Sequence, residues 1–482
     1  MQASLARSRA SLGAVGAVLA VALLLIAAPR ASASASASAS ASAIDATWSA
    51  NPSSPATTTW QEVAWSPELG LFVAVGGSGT TGVMTSQDGV SWTAGTAPSG
   101  RWSAVAWSAE LGLFVAVGNA GGGGNPIVTS SDGTSWTARV SPGGTFTEVV
   151  WSPEQHKFVA GTIGTSTVTS ADGVTWTASA AAVQASSVRE IVWAAEEGIY
   201  VSVGNPSISG VATPMVFRST DGVAWTQVST AVDGRWTGIT FSPELDLFVS
   251  VGDQGIITSP DGATWTVVAS PAADLRTVTW SPENAEFLAA GPGGLFSSPD
   301  GVTWTSITNP EANTWLSVVW SAALSRYVGV ASTGNNRTMV GIVPMAAGAP
   351  LSLTANVDGD VIALAWTTPT FDGYDPITGY RIELSADGGP FAALVADTAS
   401  TATTYRDAGA HAGVSYVYRV FALNGQGASV ASNDAAARLA GPELAATGSD
   451  PGFLALVALV LLVGGAAAVR LRPAVISELR RS

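Results

Sequence analysis

Two histidines and no cysteine set the limits on catalysis in this 482-residue chain. His156 sits in the turn Ser152-Pro153-Glu154-Gln155-His156-Lys157 and His411 lies far along the chain. A Ser/His/Asp relay or a zinc site therefore has nothing to build on, and no metal or cofactor is expected. Carboxylates are plentiful, but Glu68, Glu110, Glu154, Glu196, Glu244 and Glu283 recur at one place in a repeat, which reads as a turn role. A glycosidase needs two carboxylates facing each other across one bond, and repeat-locked ones spread round a ring do not meet that need. Asp253 and Asp274 stand outside the repeat and stay open as candidates. A net charge of −15 argues against nucleic acid, because a polyanion needs a basic face.

The elements that must position any site come from that repeat. Ser86-Gln87-Asp88-Gly89-Val90-Ser91-Trp92 returns at 130–136, 170–176, 219–225, 259–265 and 298–304. The recurring pairs are Asp88 and Trp92, Asp132 and Trp136, Asp172 and Trp176, Asp221 and Trp225, Asp261 and Trp265, Asp300 and Trp304. Upstream runs a second phrase, Val63-Ala64-Trp65-Ser66-Pro67-Glu68 followed by Leu71-Phe72-Val73-Ala74-Val75-Gly76. Its aromatic recurs at Trp107, Trp151, Trp193, Phe241, Trp280 and Trp320, so this phrase occurs seven times against six of the other. A period of about 40–45 residues marks a propeller or solenoid. Asp-Gly between apolar segments is a hairpin turn: the carboxylate accepts turn amides and Gly supplies a positive φ. Four short strands per period make one blade of an all-β propeller, and 53 Gly, 18 Trp and 11% charged residues suit such turn-rich, aromatic-layered structure. The last period, 315–345, lacks the Asp-Gly phrase, and the missing strand is expected at Asp45-Ala46-Thr47-Trp48-Ser49. Closing a ring that way removes free strand edges. Seven blades over residues 44–346 is the expectation, with six as the alternative.

If each period's first strand lines a central channel, alignment on the shared aromatic puts Arg101 and Arg235 at one level. Arg189 and Arg276 then fall two residues further along the same face. Four guanidinium groups in an acidic chain could ring a channel mouth and bind an anionic glycan or carboxylate. The competing reading makes them surface arginines paired with Glu62, Glu148, Glu190 or Asp274.

The Ser-x-Asp-Gly-x-x-Trp phrase resembles the Asp-box (BNR-type) repeat, whose motif runs Ser-x-Asp-x-Gly-x-x-Trp, with the turn one residue shorter here. The resemblance implies that these Asp and Trp residues are structural, on an outer rim away from the central site. It also raises sialidase, which uses an arginine triad, a Tyr nucleophile with a Glu partner, and an Asp acid/base. No Arg-Ile-Pro segment lies near the first blade, and the propeller's Tyr200 and Tyr327 both fall inside the repeated apolar strand. No catalytic residue is assigned.

Residues 347–440 resemble a fibronectin type III domain. The resemblance is carried by Ala363-Leu364-Ala365-Trp366 with Pro369, by the stretch from Asp372 to Tyr380, and by Tyr416-Val417-Tyr418-Arg419-Val420-Phe421-Ala422-Leu423-Asn424 with Gly427. It implies a β-sandwich spacer or interaction module with Trp366 in its core and Tyr416 as the tyrosine corner.

Both ends read as targeting segments. Arg7 and Arg9 precede an apolar run, so residues 1–33 read as a secretory signal peptide, the alternative being a retained membrane anchor. The Ala/Ser alternation of 34–43 is a linker. Near the other end, the linker 441–452 holds Leu444-Ala445-Ala446-Thr447-Gly448, followed by an apolar span at 453–469 and a basic tail at 470–482. This is similar to the cell-wall sorting signal of Gram-positive bacteria, in a Leu-Ala-x-Thr-Gly form whose Ala445 leaves the sortase class open. The resemblance implies attack by a sortase cysteine on the Thr447 carbonyl, with Leu444, Ala445 and Gly448 recognised around it. A span of about 25 Å would hold the chain in a membrane meanwhile, and the basic tail would stay cytoplasmic. A plain transmembrane anchor is the alternative. The expectation is an exported, wall-anchored monomer whose partners are sortase, peptidoglycan and a glycan or protein ligand. An extracellular glycoside hydrolase or lyase and a purely structural envelope protein are the competing functions.

Overall fold

A computed structural model describes residues 45–51, 59–77, 80–119, 125–164, 167–179, 186–206, 215–230 and 234–441. The signal peptide, the Ala/Ser linker, the sorting motif, the 453–469 span and the basic tail lie outside the described residues. Apart from one short 3-10 turn at Ala322–Leu324, the described elements are all strands. No helix among them is long and apolar enough to cross a membrane.

Up to Ile342 the strands form a propeller-like series of antiparallel sheets. Five are four-stranded, and an eight-stranded one consists of two such units joined where Ile163 and Gly164 pair with Ser187 and Ser186. In the first unit the strands are Trp60–Ser66, Leu71–Gly76, Val83–Ser86 and Thr93–Ala94. The last unit takes Trp315–Ser321, Arg326–Ala331 and Thr338–Ile342 from its own period. Its fourth strand comes from Thr47–Asn51, paired antiparallel with Thr47 opposite Ile342 and Asn51 opposite Thr338. The first strands of successive units pack side by side, and the first strand of the last unit packs against Trp60–Ser66.

Between units lie apolar layers. Val73, Val75, Trp102, Phe114 and Trp136 fill the layer between the first and second units. A layer of the same make joins the last unit to the first, with Val328, Val330 and Val340 packed on Trp60, Phe72 and Trp92. The second strand of each unit is buried on both faces, which is why it reads as a continuous apolar run and not as an alternation. Tyr200 and Tyr327 belong to these layers. Both are fully buried, their hydroxyls meeting Ser152 and Ser281 of the preceding unit.

Residues from 351 on form a separate sandwich. One sheet holds Leu351–Asp358, Val361–Thr367 and Thr404–Asp407; the other centres on Gly379–Ala386 and Ser415–Asn424. Trp366 is buried between them with its ring edge-on to Tyr380 at 5.1 Å, and Tyr416 Oη accepts the His411 amide at 3.0 Å. At the junction with the propeller-like part, Asn424 Nδ2 donates to the carbonyls of Met345 (2.8 Å) and Asp372 (3.0 Å). Buried Arg326, from the last unit, donates both to the Asp88 carbonyl of the first unit and to the Tyr374 hydroxyl of the sandwich.

Candidate functional site: the channel lined by the first strands

The six repeated turns lie between the third and fourth strands of their units, away from the first strands. In the first, Asp88 Oδ1 accepts the amides of Val90 (2.8 Å) and Ser91 (2.7 Å) and the Ser86 hydroxyl (3.0 Å). Trp92 Nε1 closes the turn by donating to the Gly89 carbonyl at 2.9 Å. Gly89 has φ 71°, and a Cβ there would come within 2.4 Å of Val328 Cγ2 in the last unit, so only glycine fits. Asp132, Asp172, Asp221, Asp261 and Asp300 repeat the arrangement. Burial works against ionisation of Asp88, but the amides of Ser91 and Val90 outweigh it and hold the carboxyl below its usual range. At Asp132 the Ser135 amide is the largest influence, and the carboxyl lies further down. In each turn the Asp Oδ1 is spent on amides of the turn itself.

The glutamates at the other repeated turn tie neighbours together. Glu68, Glu154, Glu244 and Glu283 each accept the indole N–H of the next unit's aromatic, Trp107, Trp193, Trp280 and Trp320, at 2.6–2.8 Å. Glu110 instead meets His156 Nδ1 at 2.9 Å. Glu196 faces a unit whose aromatic is Phe241, which has no N–H to give.

The non-repeating chemistry converges where the first strands meet. A β-bulge interrupts six of them at the residue four before the shared aromatic, as between Trp60 and Glu62 or Val188 and Glu190. A bulge leaves one residue out of the ladder and re-aims its side chain. The bulged residues, including Gln61, Ser103, Thr147 and Arg189, line a cavity of about 210 Å³ together with Arg276. One residue further along each strand, Glu62, Glu148 and Glu190 form its waist. Glu62 and Glu190 also line a second cavity of about 460 Å³ further along the strands, whose wall includes Trp151 and Trp193.

The waist carboxyls are partly committed to holding units together. Glu62 Oε2 accepts the Val105 amide of the second unit at 2.8 Å, and Glu190 Oε2 accepts the Ile239 amide of the fifth at 2.9 Å. At the closure of the series, Ser317 Oγ accepts the Val63 amide in the same way. Burial pushes Glu62 up to about 8 against the single hydrogen bond from Val105. Glu148, only 6% exposed, is raised well above its ordinary range by burial, then by the charges of Glu62 and Glu190. Glu190 is raised well above by burial and by Glu62. Burial thus favours the protonated form at all three carboxyls.

The four arginines separate. Arg189 and Arg276 line the cavity; Arg101 and Arg235 do not. Arg235 is nonetheless close enough that, after burial and Arg276, its charge lowers the pKa of Arg189. Arg101 is exposed on the second unit's first strand. The bulge is the reason, because alternation of faces does not carry across an extra residue. Arg276 pairs with Asp274 at 2.6 Å, and Arg189 Nε and Nη2 donate to the Asn205 side-chain oxygen at 2.9 and 3.1 Å in the amide orientation that satisfies both. Among the described residues no ion pair joins either arginine to Glu62, Glu148 or Glu190. Asp253 accepts the Arg235 amide at 3.0 Å. No cluster of potential metal ligands occurs among the described residues.

Residues 348–438 match the Fibronectin type III domain family, so the sandwich is a fibronectin type III domain. Among solved structures, the extracellular domain of the putative hybrid two component system BT4673 from B. thetaiotaomicron aligns with TM-score 0.50 and 8% identity, over 83% of this chain and 60% of that one. The WD40 beta propeller domain of Doa1 aligns with TM-score 0.46 and 12% identity, over 61% of this chain and 96% of that one. Titin kinase with its flanking domains gives 26% identity and TM-score 0.18 over 20% of this chain, which spans only 17% of that structure's length. The likeness to the BT4673 domain is one of fold alone.

Proposed function

We propose that this is an exported, wall-anchored surface protein. It displays a seven-bladed Asp-box propeller whose channel mouth binds a glycan or protein ligand without chemical conversion. The seven-bladed reading is supported by the apolar layer and the Thr47–Asn51 strand that link first and last units. The observation that carries the binding reading is the pair Arg189 and Arg276 in the cavity wall above carboxyls committed to backbone amides. Guanidinium forks match carboxylates and other oxyanions. The fibronectin type III domain would space the propeller from the wall, and sortase cleavage after Thr447 would attach it.

The second reading, a glycoside hydrolase or lyase, is favoured by one observation: Glu62 and Glu190 lie near enough to Glu148 to raise its pKa, and Glu62 near enough to raise that of Glu190. A glycan array with the full mature chain, read together with release of reducing sugar, separates the two. Binding of acidic glycans that is lost in the double variant Arg189→Ala/Arg276→Ala, without sugar release, is the expected result. Sugar release abolished by Glu148→Gln would replace binding with hydrolysis. Anchoring is tested separately by mass spectrometry of wall digests, where the mature chain is expected to end at Thr447.

A further inference from the structure

Arg189 and Arg276 line the same cavity of about 210 Å³ as Glu62, Glu148 and Glu190. We propose that the upper cavity takes a single carboxylate-bearing group, held by Arg189 and Arg276 with Arg235 behind them. Its occupancy is coupled to proton binding by the glutamates of the waist. This rests on the binding function proposed above and adds its ligand class and its regulation.

Three features of the geometry carry it. The charges of Arg276 and Arg235 repel that of Arg189, and among the described residues the one ion pair of these three arginines is that of Arg276 with the half-exposed Asp274. An anion there relieves that repulsion. Glu62, Glu148 and Glu190 line the same cavity, with Glu148 buried from solvent. When the waist is protonated, each carboxyl group has an O–H to offer and no negative charge, so it can donate to a ligand oxygen. When it ionises, the arginines gain internal counter-charges and the ligand meets repulsion.

The charged groups facing the waist are few. The fourth unit supplies Arg189, the segment before the sixth supplies Arg276, and Arg235 stands at the entry to the fifth. From the far end Glu154 lines the second cavity, already bonded to the Trp193 indole. The remaining wall, Gln61, Ser103, Thr147, Thr237, Thr277 and Ser317, carries no charge. With Glu62 raised to about 8 and the other two raised well above their ordinary range, the ligand is held at neutral pH and released as pH rises past that value.

The test uses the full mature chain with D-glucuronate as probe, and D-glucose and inorganic phosphate as controls. Isothermal titration calorimetry is run from pH 6 to pH 9 in buffers of different protonation enthalpy. Glucuronate is expected to bind at pH 6, glucose not to bind, and affinity to fall roughly tenfold or more by pH 9, one pKa unit of coupling being a factor of ten. Binding near pH 8–9 should take up protons from the buffer. In Glu62→Gln/Glu148→Gln/Glu190→Gln the fall with pH should vanish. Should that variant not fold, infrared titration of the protonated carboxyl band in the ligand-free wild type takes its place, with the band persisting above pH 7. Glucuronate bound equally at every pH without proton uptake, or absence of that band, overturns the proton coupling and leaves the binding site standing. Tighter binding of phosphate overturns the carboxylate assignment. No binding of either anion at any pH overturns the channel-mouth reading itself.

Discussion

Asp132 on the rim and Glu62 at the waist both accept backbone amides, yet one carboxyl is held far below its usual range and the other is raised to about 8. The difference is supply against depth. Asp132 receives two amides and a hydroxyl at 2.7–2.9 Å while remaining exposed to water, so its charge is solvated from both sides. Glu62 receives one amide at 2.8 Å among the packed first strands, and one hydrogen bond does not replace lost hydration. The consequences for stability run in opposite directions. The lowered rim aspartates contribute stability above the carboxyl pKa of the unfolded chain, and it is lost as pH falls through their folded values. The raised waist glutamates contribute stability that is complete below the unfolded pKa and is lost as pH rises toward about 8. Maximum stability is expected on the acid side of neutrality.

The largest expected effect comes from breaking the rim where first and last units meet. Gly89→Ala forces a side chain into a left-handed backbone and onto Val328. A loss of about 2–4 kcal/mol is expected, read as a lower midpoint in urea unfolding. An unchanged midpoint would mean that the first and last units are not packed together.

Next in size is Glu62→Gln, which keeps an acceptor for the Val105 amide and removes the ionisation. Little change is expected at pH 5. At pH 9 the variant should be more stable than the wild type by about 1–3 kcal/mol, at most about 1.4 kcal/mol for each pH unit of altered titration. Equal slopes of stability against pH for the two proteins between pH 5 and pH 9 would show that the waist does not hold protons. Asp132→Ala sharpens the other side: about 1 kcal/mol lost at pH 7, a loss that shrinks only as pH falls below the carboxyl pKa of the unfolded chain, because the folded carboxyl keeps its charge to lower pH.

The two regions were unequally legible in the sequence for a physical reason. The rim repeats because each turn solves the same problem with the same residues, so Asp88 and Trp92 reappear with constant spacing. The waist does not repeat: the residue three before the aromatic runs Glu62, Ala104, Glu148, Glu190, Gly238, Thr277 and Ser317. Repetition hides such a position, and the sequence marks these glutamates only as partners for arginines. The signal that could have found them is polarity that varies at one place in an otherwise apolar strand. The bulge left no such trace, since Gln61, Ser103, Thr147 and Arg189 share no residue type. Arg189 and Arg276 line the cavity, while Arg101 and Arg235, two residues before the bulge position, do not.

The smallest effect tests whether repetition always means the same contact. Glu244 accepts the Trp280 indole at 2.8 Å, while Glu196, at the same place in its own repeat, faces Phe241. Replacing Glu244 by Ala leaves a mostly buried indole N–H without that acceptor and should cost about 0.5–1 kcal/mol. Replacing Glu196 by Ala removes no such bond and should stay within about 0.5 kcal/mol of the wild type, as surface substitutions do. The decisive quantity is the difference between the two under one denaturation protocol. The double variant Phe241→Trp/Glu244→Ala extends it, because a new indole at 241 gives Glu196 a donor and should recover part of the loss. Equal costs at both glutamates would mean that the turn itself, and not the indole, selects Glu; a recovery confined to the chain that retains Glu196 would assign the selection to the contact between neighbouring units.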